Sequence, residues 1–346
     1  PAGRNAQSEQ EHARRLMALL QKRDFAPAGV HFADHRAPVY LSERKFFTPT
    51  RDAGRVGRIM AAVLPPSYLE LVVVHVDKGL ETSRVALRRQ DFEKAAANLG
   101  GEELWLQDPV RAARAELPDD TIANPDAYPR WDWGLEPRLR QQLMDPDEPY
   151  RWEVGANLNG SVEPRPGLIF TAGLDQTFTG TIADSERGPG SQLPHVRSEI
   201  VDYLREGKTA IGLLQADYLT MLAPDTYGRV SGGLLERMFA GVGGGVLYRP
   251  HDATWAMGLD LNHVVRREHQ GGLGLMDYDV TTGHLTLYQD LPWSGLHARV
   301  SAGRYLAGDI GGTFRLQREF DNGVVLGGFF TLTDVPFEVF GEGKPM

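Results

Sequence analysis

RWEVGANLNGS (151–161) puts Trp152, Val154, Ala156 and Leu158 at one parity and Glu153, Gly155, Asn157, Asn159 and Ser161 at the other. Successive side chains of a β-strand point to opposite faces, so the stretch is a two-faced ribbon. ATWAMGLDLN (253–262) repeats it, with Trp255, Met257, Leu259 and Leu261 against Gly258, Asp260 and Asn262. In DIGGTFRLQREF (309–320), Ile310, Phe314, Leu316 and Phe320 oppose Thr313, Arg315, Gln317 and Glu319. Eleven such stretches lie between Trp131 and Asp334, punctuated by Gly, Asp, Asn and Pro, which is the rhythm of a membrane β-barrel.

The 346 residues hold 39 glycines, many more tight turns and small wall positions than a helical enzyme needs. No run of about eighteen apolar residues occurs, so no transmembrane helix is expected. Only a barrel could span a bilayer here. Half of each strand then suffices as the greasy part, because the ladder closes the backbone hydrogen bonds and the lumen stays polar. A net charge of −9, from 46 acids and 37 bases, offers no basic field for nucleic acid. Without cysteine there are no disulfides, thiolates or N-terminal lipobox. PAGRNAQ (1–7) has no apolar core, so the secretion signal a barrel requires is expected to have been removed.

The first hundred residues read differently. Ser8 with Glu11 makes a capping box before EHARRLMALLQKRD, whose Ala13, Leu16, Leu19 and Leu20 form a helical stripe. VHFAD (30–34) and PVYLSERKF (38–46) are strand-like, and TPTRDAGRVGRIMAAVL (48–64) is helical. LELVVVHVD (69–77) and SRVALRR (83–89) are further strands, and DFEKAAANLG (91–100) is a last helix. This order predicts a duplicated small α/β module over 1–101. A proline-broken acidic linker follows over 102–130, and a barrel segment over 131–346. The barrel strands are expected near 131–142, 151–162, 167–178, 209–222, 226–238, 243–250, 254–267, 274–289, 295–306, 309–320 and 323–334. GVGGG (241–245) is read as a turn between two of them.

Outer-membrane barrels have short periplasmic turns and longer outer loops. With the first strand running outward, EPRPG, APD, RPHDA, DLPWSG and DNG are the short inner turns. MDPDEP, the stretch from Phe178 to Lys208 and REHQGG fall outside. The same parity places residues 1–130 in the periplasm.

LPHVRSEIVDYLREG (193–207), ADYLTMLAPDTYGRVSGGLLERMFAGVGGGVLYRP (216–250), MDYDVTTGHLTLYQDLP (276–292), RVSAGRYLAGD (299–309) and REFDNGVVLGGFFTLTDVPFEVFGEG (318–343) resemble, in order, the YjbH/GfcD family of outer-membrane proteins encoded with exopolysaccharide or capsule clusters. The resemblance covers roughly 131–346, and the N-terminal module matches less distinctly. It implies an outer-membrane barrel serving polysaccharide export or assembly, and transfers no catalytic residues. Family members are usually about twice this long, continue past FGEG and often begin at a lipidated cysteine. The chain is therefore expected to be a fragment, a processed half or one chain of a split barrel. Its partners would be polysaccharide, outer-membrane lipid, a second barrel-forming segment or chain, and periplasmic exopolysaccharide proteins.

A glycan-passing wall needs spaced hydrogen-bonding groups and no deep trap. Arg138, Arg140, Arg229, Arg299 and Arg315 fall on the polar phase, where a guanidinium can fork onto carboxylate or hydroxyl oxygens. Asp175, Asp217, Asp260 and Asn262 share that phase. The plainer reading, which we prefer, is that the arginines pair with lumen acids such as Glu136, Asp175, Asp217, Asp260 and Glu319 and brace the wall. His195, Arg197, Glu199 and Asp202, with Tyr203 and Arg205, sit on an expected short helix in the long insertion. That helix is either a plug touching polymer or, as charged helical spacing usually means, a solvated loop helix. Trp131, Trp133, Trp152, Trp255 and Trp293 either stack on sugars or, the favoured reading, form the interfacial aromatic belt.

No G-x-S-x-G elbow, H-E-x-x-H, Walker loop or strand-linked G-x-G-x-x-G occurs, and the ten histidines lack ligand spacing. Ser301, His284 and His297 do not make an enzyme signature. No catalytic residue, metal or cofactor is assigned. The expectation is an outer-membrane barrel component of exopolysaccharide export or assembly. An outer-membrane enzyme modifying glycan or lipid and a non-conducting scaffold are the alternatives.

Overall fold

The computed structural model describes residues 6–42, 45, 49–97, 118–143, 148–185, 192–197, 199–250, 253–293, 295–320, 322–336 and 339. The expected helix end at Gly100, the linker up to 117 and the tail beyond 340 lie outside them. The chain divides into two compact units. One comprises 1–130 with the turn segments 163–168 and 219–226, and the other holds the remainder.

In the first unit, α1 (Ala6–Gln21), β1 (Pro27–Val30), β2 (Arg36–Leu41), α2 (Pro49–Val63), β3 (Glu70–Asp77), β4 (Leu80–Arg88) and α3 (Arg89–Ala96) follow in order. β5 (Ile122–Ala123), within the expected linker stretch, adds to β1 and completes the sheet order β4-β3-β2-β1-β5. β2 and β3 pair in parallel because α2 carries the chain across, while β1/β2 and β3/β4 are antiparallel. The two α-β-β runs thus share one sheet. Alternation sorts its faces. Val39, Leu41, Leu71, Val73, Val85 and Leu87 meet Leu16, Leu20, Val56 and Met60 of the helices, while Tyr40, Val72, Val74 and Ala86 bury on the opposite face with Ala127. α1 already includes Ser8, whose hydroxyl lies 3.3 Å from His12 Nδ1, so the expected capping box sits inside the helix.

The second unit is built on an eleven-stranded antiparallel meander: β6 (Arg130–Leu143), β7 (Tyr150–Arg165), β8 (Leu168–Gly180), β9 (Thr209–Ala223), β10 (Thr226–Leu234), β11 (Phe239–Tyr248), β12 (Trp255–Arg267), β13 (Leu275–Asp290), β14 (Leu296–Arg304), β15 (Ile310–Glu319) and β16 (Val325–Thr333). β6 and β16 are the two ends of the order and do not pair with each other, so the sheet is not closed. Pro137 sits in end strand β6, where a residue without an N–H is tolerated.

The burial of this sheet is inverted. Leu259, Leu261, Leu285, Leu287, Val300, Phe314 and Leu316 are exposed, whereas Arg151, Glu153, Ser231, Thr282, Thr286 and Ser301 are buried. Trp152, expected on the exposed face, is half-buried. Soluble monomers rarely display contiguous apolar surface above a few hundred Å², so a whole apolar sheet face marks an apolar environment or partner.

GVGGG is not a turn. The chain turns earlier, where Leu235 and Glu236 N–H both donate to Phe239 O at 3.1 Å, and the glycines run inside β11. Their want of side chains is used by β12: a Cβ on Gly241 would lie 2.2 Å from His263 O, and one on Gly245 2.6 Å from Asp260 Oδ1. Gly241→Ala is therefore expected to destabilise by about 1–3 kcal/mol through backbone displacement. Gly134→Ala, with nothing within 4 Å of its Cβ, should be neutral. A urea refolding titration that ranked Gly134→Ala as the worse of the two would contradict this register.

Candidate functional site

The polar face of the sheet carries the chemistry. Its arginines, treated together in the sequence, separate into two groups. At β6–β8, Arg138 donates to Asn157 Oδ1 at 2.7 Å, to Thr177 Oγ1 at 2.9 Å and to Glu153 Oε1 at 2.9 Å. It also lies 3.4 Å from Asp175. Arg140 reaches the same Glu153 oxygen at 3.2 Å, and Arg237 reaches Asp175 at 3.3 Å. Glu153 is 2% exposed, so removing both of its arginines would leave an uncompensated buried charge, a loss of about 3–5 kcal/mol. Here the bracing expectation holds, though with Glu153 as its hub. Alternation had put Glu153 on the polar face, but nothing local marked it as the hub, because its partners come from a neighbouring strand. Further along the sheet Arg229 lies 3.6 Å from Asp260, both half-exposed. Asp217 accepts from Gln215 at 2.7 and 2.8 Å, and the Asn262 amide fills the space over Gly243.

Arg299 and Arg315 differ. Among the described residues neither makes an ion pair. Arg299 stacks on Tyr288, with Cζ 5.4 Å from the ring centroid, and Arg315 on Phe329 at 5.3 Å. Bracing by acids is thus not what the structure gives for these two, since the nearest positions across the ladder are occupied by each other.

The long insertion does not form a solvated loop helix. Its helix α4 (Ile200–Glu206) buries Tyr203 and Leu204 at 0 and 2% exposure. Tyr203 packs with Met238, Phe239, Val264 and Val280, two of which are inward positions of β12 and β13. Its hydroxyl donates to Arg267 O at 2.5 Å and accepts from Arg266 Nε at 3.2 Å. The β12–β13 turn joins in: Ile211 N–H donates to Gly271 O at 2.9 Å, although β9 and β12 are three strands apart, about 14 Å in a flat sheet. The end of the polar face farthest from the short turns is therefore covered. His195 and Arg197 precede the helix rather than lie on it. His195 Nδ1 is 2.8 Å from Glu199, Arg197 is 2.6 Å from Glu236, and Asp202 is 3.0 Å from Arg205. Glu199 is also gripped by Arg266. Glu199, Asp202 and His269 bring three possible metal-ligand atoms within 4.8 Å, but Glu199 already meets His195 and Arg266. No ligand-binding role follows from that trio.

Trp131, Trp133, Trp255 and Trp293 are exposed and sit where strands meet the short turns, with Tyr248 against Trp255 at 5.8 Å. Trp152 lies toward the opposite end, in β7. In the first unit a contact chain escaped the sequence reading: Ser83 Oγ is 2.9 Å from His75 Nδ1, and His75 Nε2 is 3.0 Å from Asp52 Oδ2. Asp52 and His75 are 0 and 1% exposed, so the pair braces α2 on the sheet instead of meeting a substrate.

Burial holds the Tyr203 hydroxyl up to about 12, above the ordinary tyrosine value near 10. A raised folded-state value contributes stability that is complete below pH ~10 and is lost as the pH climbs through about 12. The docking of α4 should accordingly weaken across that window, and Tyr203→Phe should remove the dependence and cost roughly 1 kcal/mol at neutral pH. Phenolate absorbance together with protease sensitivity of the insertion would report it; release of α4 at the same pH in both proteins would contradict the assignment.

A family model described as exopolysaccharide biosynthesis protein YbjH matches residues 1–344, which extends the likeness through the N-terminal module. The chain is also 37% identical over 296 residues to the uncharacterized lipoprotein YjbH of Escherichia coli (strain K12). That alignment takes in 79% of this chain and 42% of the relative, so the chain spans less than half of that protein. With its module and its inverted sheet, the chain belongs to the YjbH exopolysaccharide-biosynthesis family.

Proposed function

We propose that the chain is an outer-membrane component of exopolysaccharide export or assembly. Residues 131–346 would form part of a transmembrane barrel whose polar face meets the glycan, and 1–101 a periplasmic α/β module joined through 102–130. The observation that carries the reading is the exposed apolar face backed by a buried charged one. Water would disfavour that arrangement by about 25 cal/mol for each Å² of apolar surface, and hydrocarbon rewards it. The aromatic residues at the strand ends suit headgroup depth. An envelope location agrees with the relative being called a lipoprotein.

The unpaired ends then need partners. β6 and β16 each offer a row of N–H and C=O groups, at several kcal/mol per group if left in hydrocarbon. A second barrel-forming segment or chain would pair with both. The module would receive periplasmic exopolysaccharide proteins, and the apolar face outer-membrane lipid.

A second reading, a scaffold that does not conduct, is favoured by the packing of α4 over one end of the polar face. The two readings part in planar bilayers holding the full-length protein. Opening α4 with Tyr203→Ala should raise conductance at least severalfold if the wall lines a path, and a silent variant supports the scaffold. For membrane placement itself, Leu259→Lys or Phe314→Lys should cost roughly 2–4 kcal/mol on refolding into vesicles if those sites lie near the midplane, while Gln317→Lys on the polar face should be nearly neutral. Equal losses at all three positions would sink the assignment of faces.

A further inference from the structure

Arg299 of β14 and Arg315 of β15 are directly opposed in the ladder. Like charges at opposed positions destabilise a sheet, and Arg138, Arg140 and Arg229, the other arginines named for this wall, all approach a carboxylate. Tyr288 and Phe329 hold the two guanidiniums by cation–π contact without neutralising them. Both side chains are exposed on the polar face and so can be reached.

They border a cavity of about 230 Å³ lined by His284, Arg299, Ser301, Tyr305, Thr313 and Arg315. No carboxylate belongs to that lining. Ser301 is buried, and the His284 Nε2 atom is buried with no hydrogen-bond partner among the described residues. The Tyr305 and Thr313 hydroxyls are 2.7 Å apart at its edge. Asp260, opposite His284, is held toward Arg229. Glu319 is four residues along β15, about 13 Å away at strand rise. Asp309 lies within electrostatic reach of His284 without lining the cavity, so two guanidinium forks, an imidazole nitrogen and hydroxyls make a lining that holds no anion of its own. A planar carboxylate matches the fork geometry, and the neighbouring hydroxyls match the oxygens of the sugar that carries it.

We infer that the Arg299–Arg315 pair is a carboxylate-binding subsite that selects an acidic glycan, one bearing uronate-type carboxyl groups. This rests on the reading of the polar face as the glycan-facing wall. Each carboxylate would exchange two opposed positive charges for a shared anion and then release to the next subsite, since exposed ion pairs are weak.

The test uses the full-length protein in detergent, with oligogalacturonate and its carboxyl-reduced neutral counterpart as probes in titration calorimetry. The wild-type protein should bind the acidic oligomer about tenfold or more tightly than the neutral one, the scale of one charge-assisted hydrogen bond. Arg299→Gln with Arg315→Gln should abolish that preference and leave neutral binding unchanged. Arg299→Lys with Arg315→Lys, which keeps charge and loses the fork, should retain only part of it. The wild-type comparison needs no variant to fold. Equal affinity for both oligomers overturns the subsite alone, as does a preference that survives the double Gln variant. Binding of neither oligomer overturns the subsite together with the glycan-facing wall.

Discussion

A β-ladder commits alternate side chains to opposite faces, and in the eleven-stranded sheet it is the charged set that is buried. Everything else in the second unit answers that constraint. Ionised groups withdrawn from water must find partners, so Glu153 and Asp175 gather three guanidiniums from β6 and from the turn before β11. The apolar set has no partner among the described residues, and an exposed face of that extent suits hydrocarbon or another protein.

The polar face of the sheet is chemically uneven. At one end of the strand order it is a dense ion-pair network that ties β6, β7 and β8 together. At β13–β15 it is a pair of guanidiniums turned toward aromatic rings, with no acid in the adjoining cavity. The first arrangement builds structure, and the second is where the carboxylate subsite is proposed. α4 adds a third element, an apolar plug seated among Met238, Phe239, Val264 and Val280 at the end away from the short turns. Tyr203 is its pivot, because its hydroxyl answers both the Arg267 carbonyl and the Arg266 side chain.

The first unit folds by separate means. Its β2-α2-β3 crossover makes two α-β-β runs into one sheet with its own two apolar clusters. Asp52 and His75 tie α2 to that sheet. The family match runs through this unit as well as the sheet.

Period and punctuation made the strands legible: all eleven appear close to their expected places, and Leu259, Leu261, Phe314 and Leu316 take the exposed face that alternation assigns them. Those signals are local. GVGGG misled because glycine marks turns and close approaches alike, and only the position of His263 and Asp260 on β12 tells which. Whether an arginine on the polar phase finds an acid depends on which residue the ladder places opposite, a pairing of distant segments that no single strand encodes. Thus the sequence determined the strands, their faces and the family, since each rests on spacing along the chain. The tertiary structure decided that Glu153 is a hub, that α4 is packed and that Arg299 and Arg315 meet no carboxylate among the described residues, since each rests on register between strands and on what folds across their ends.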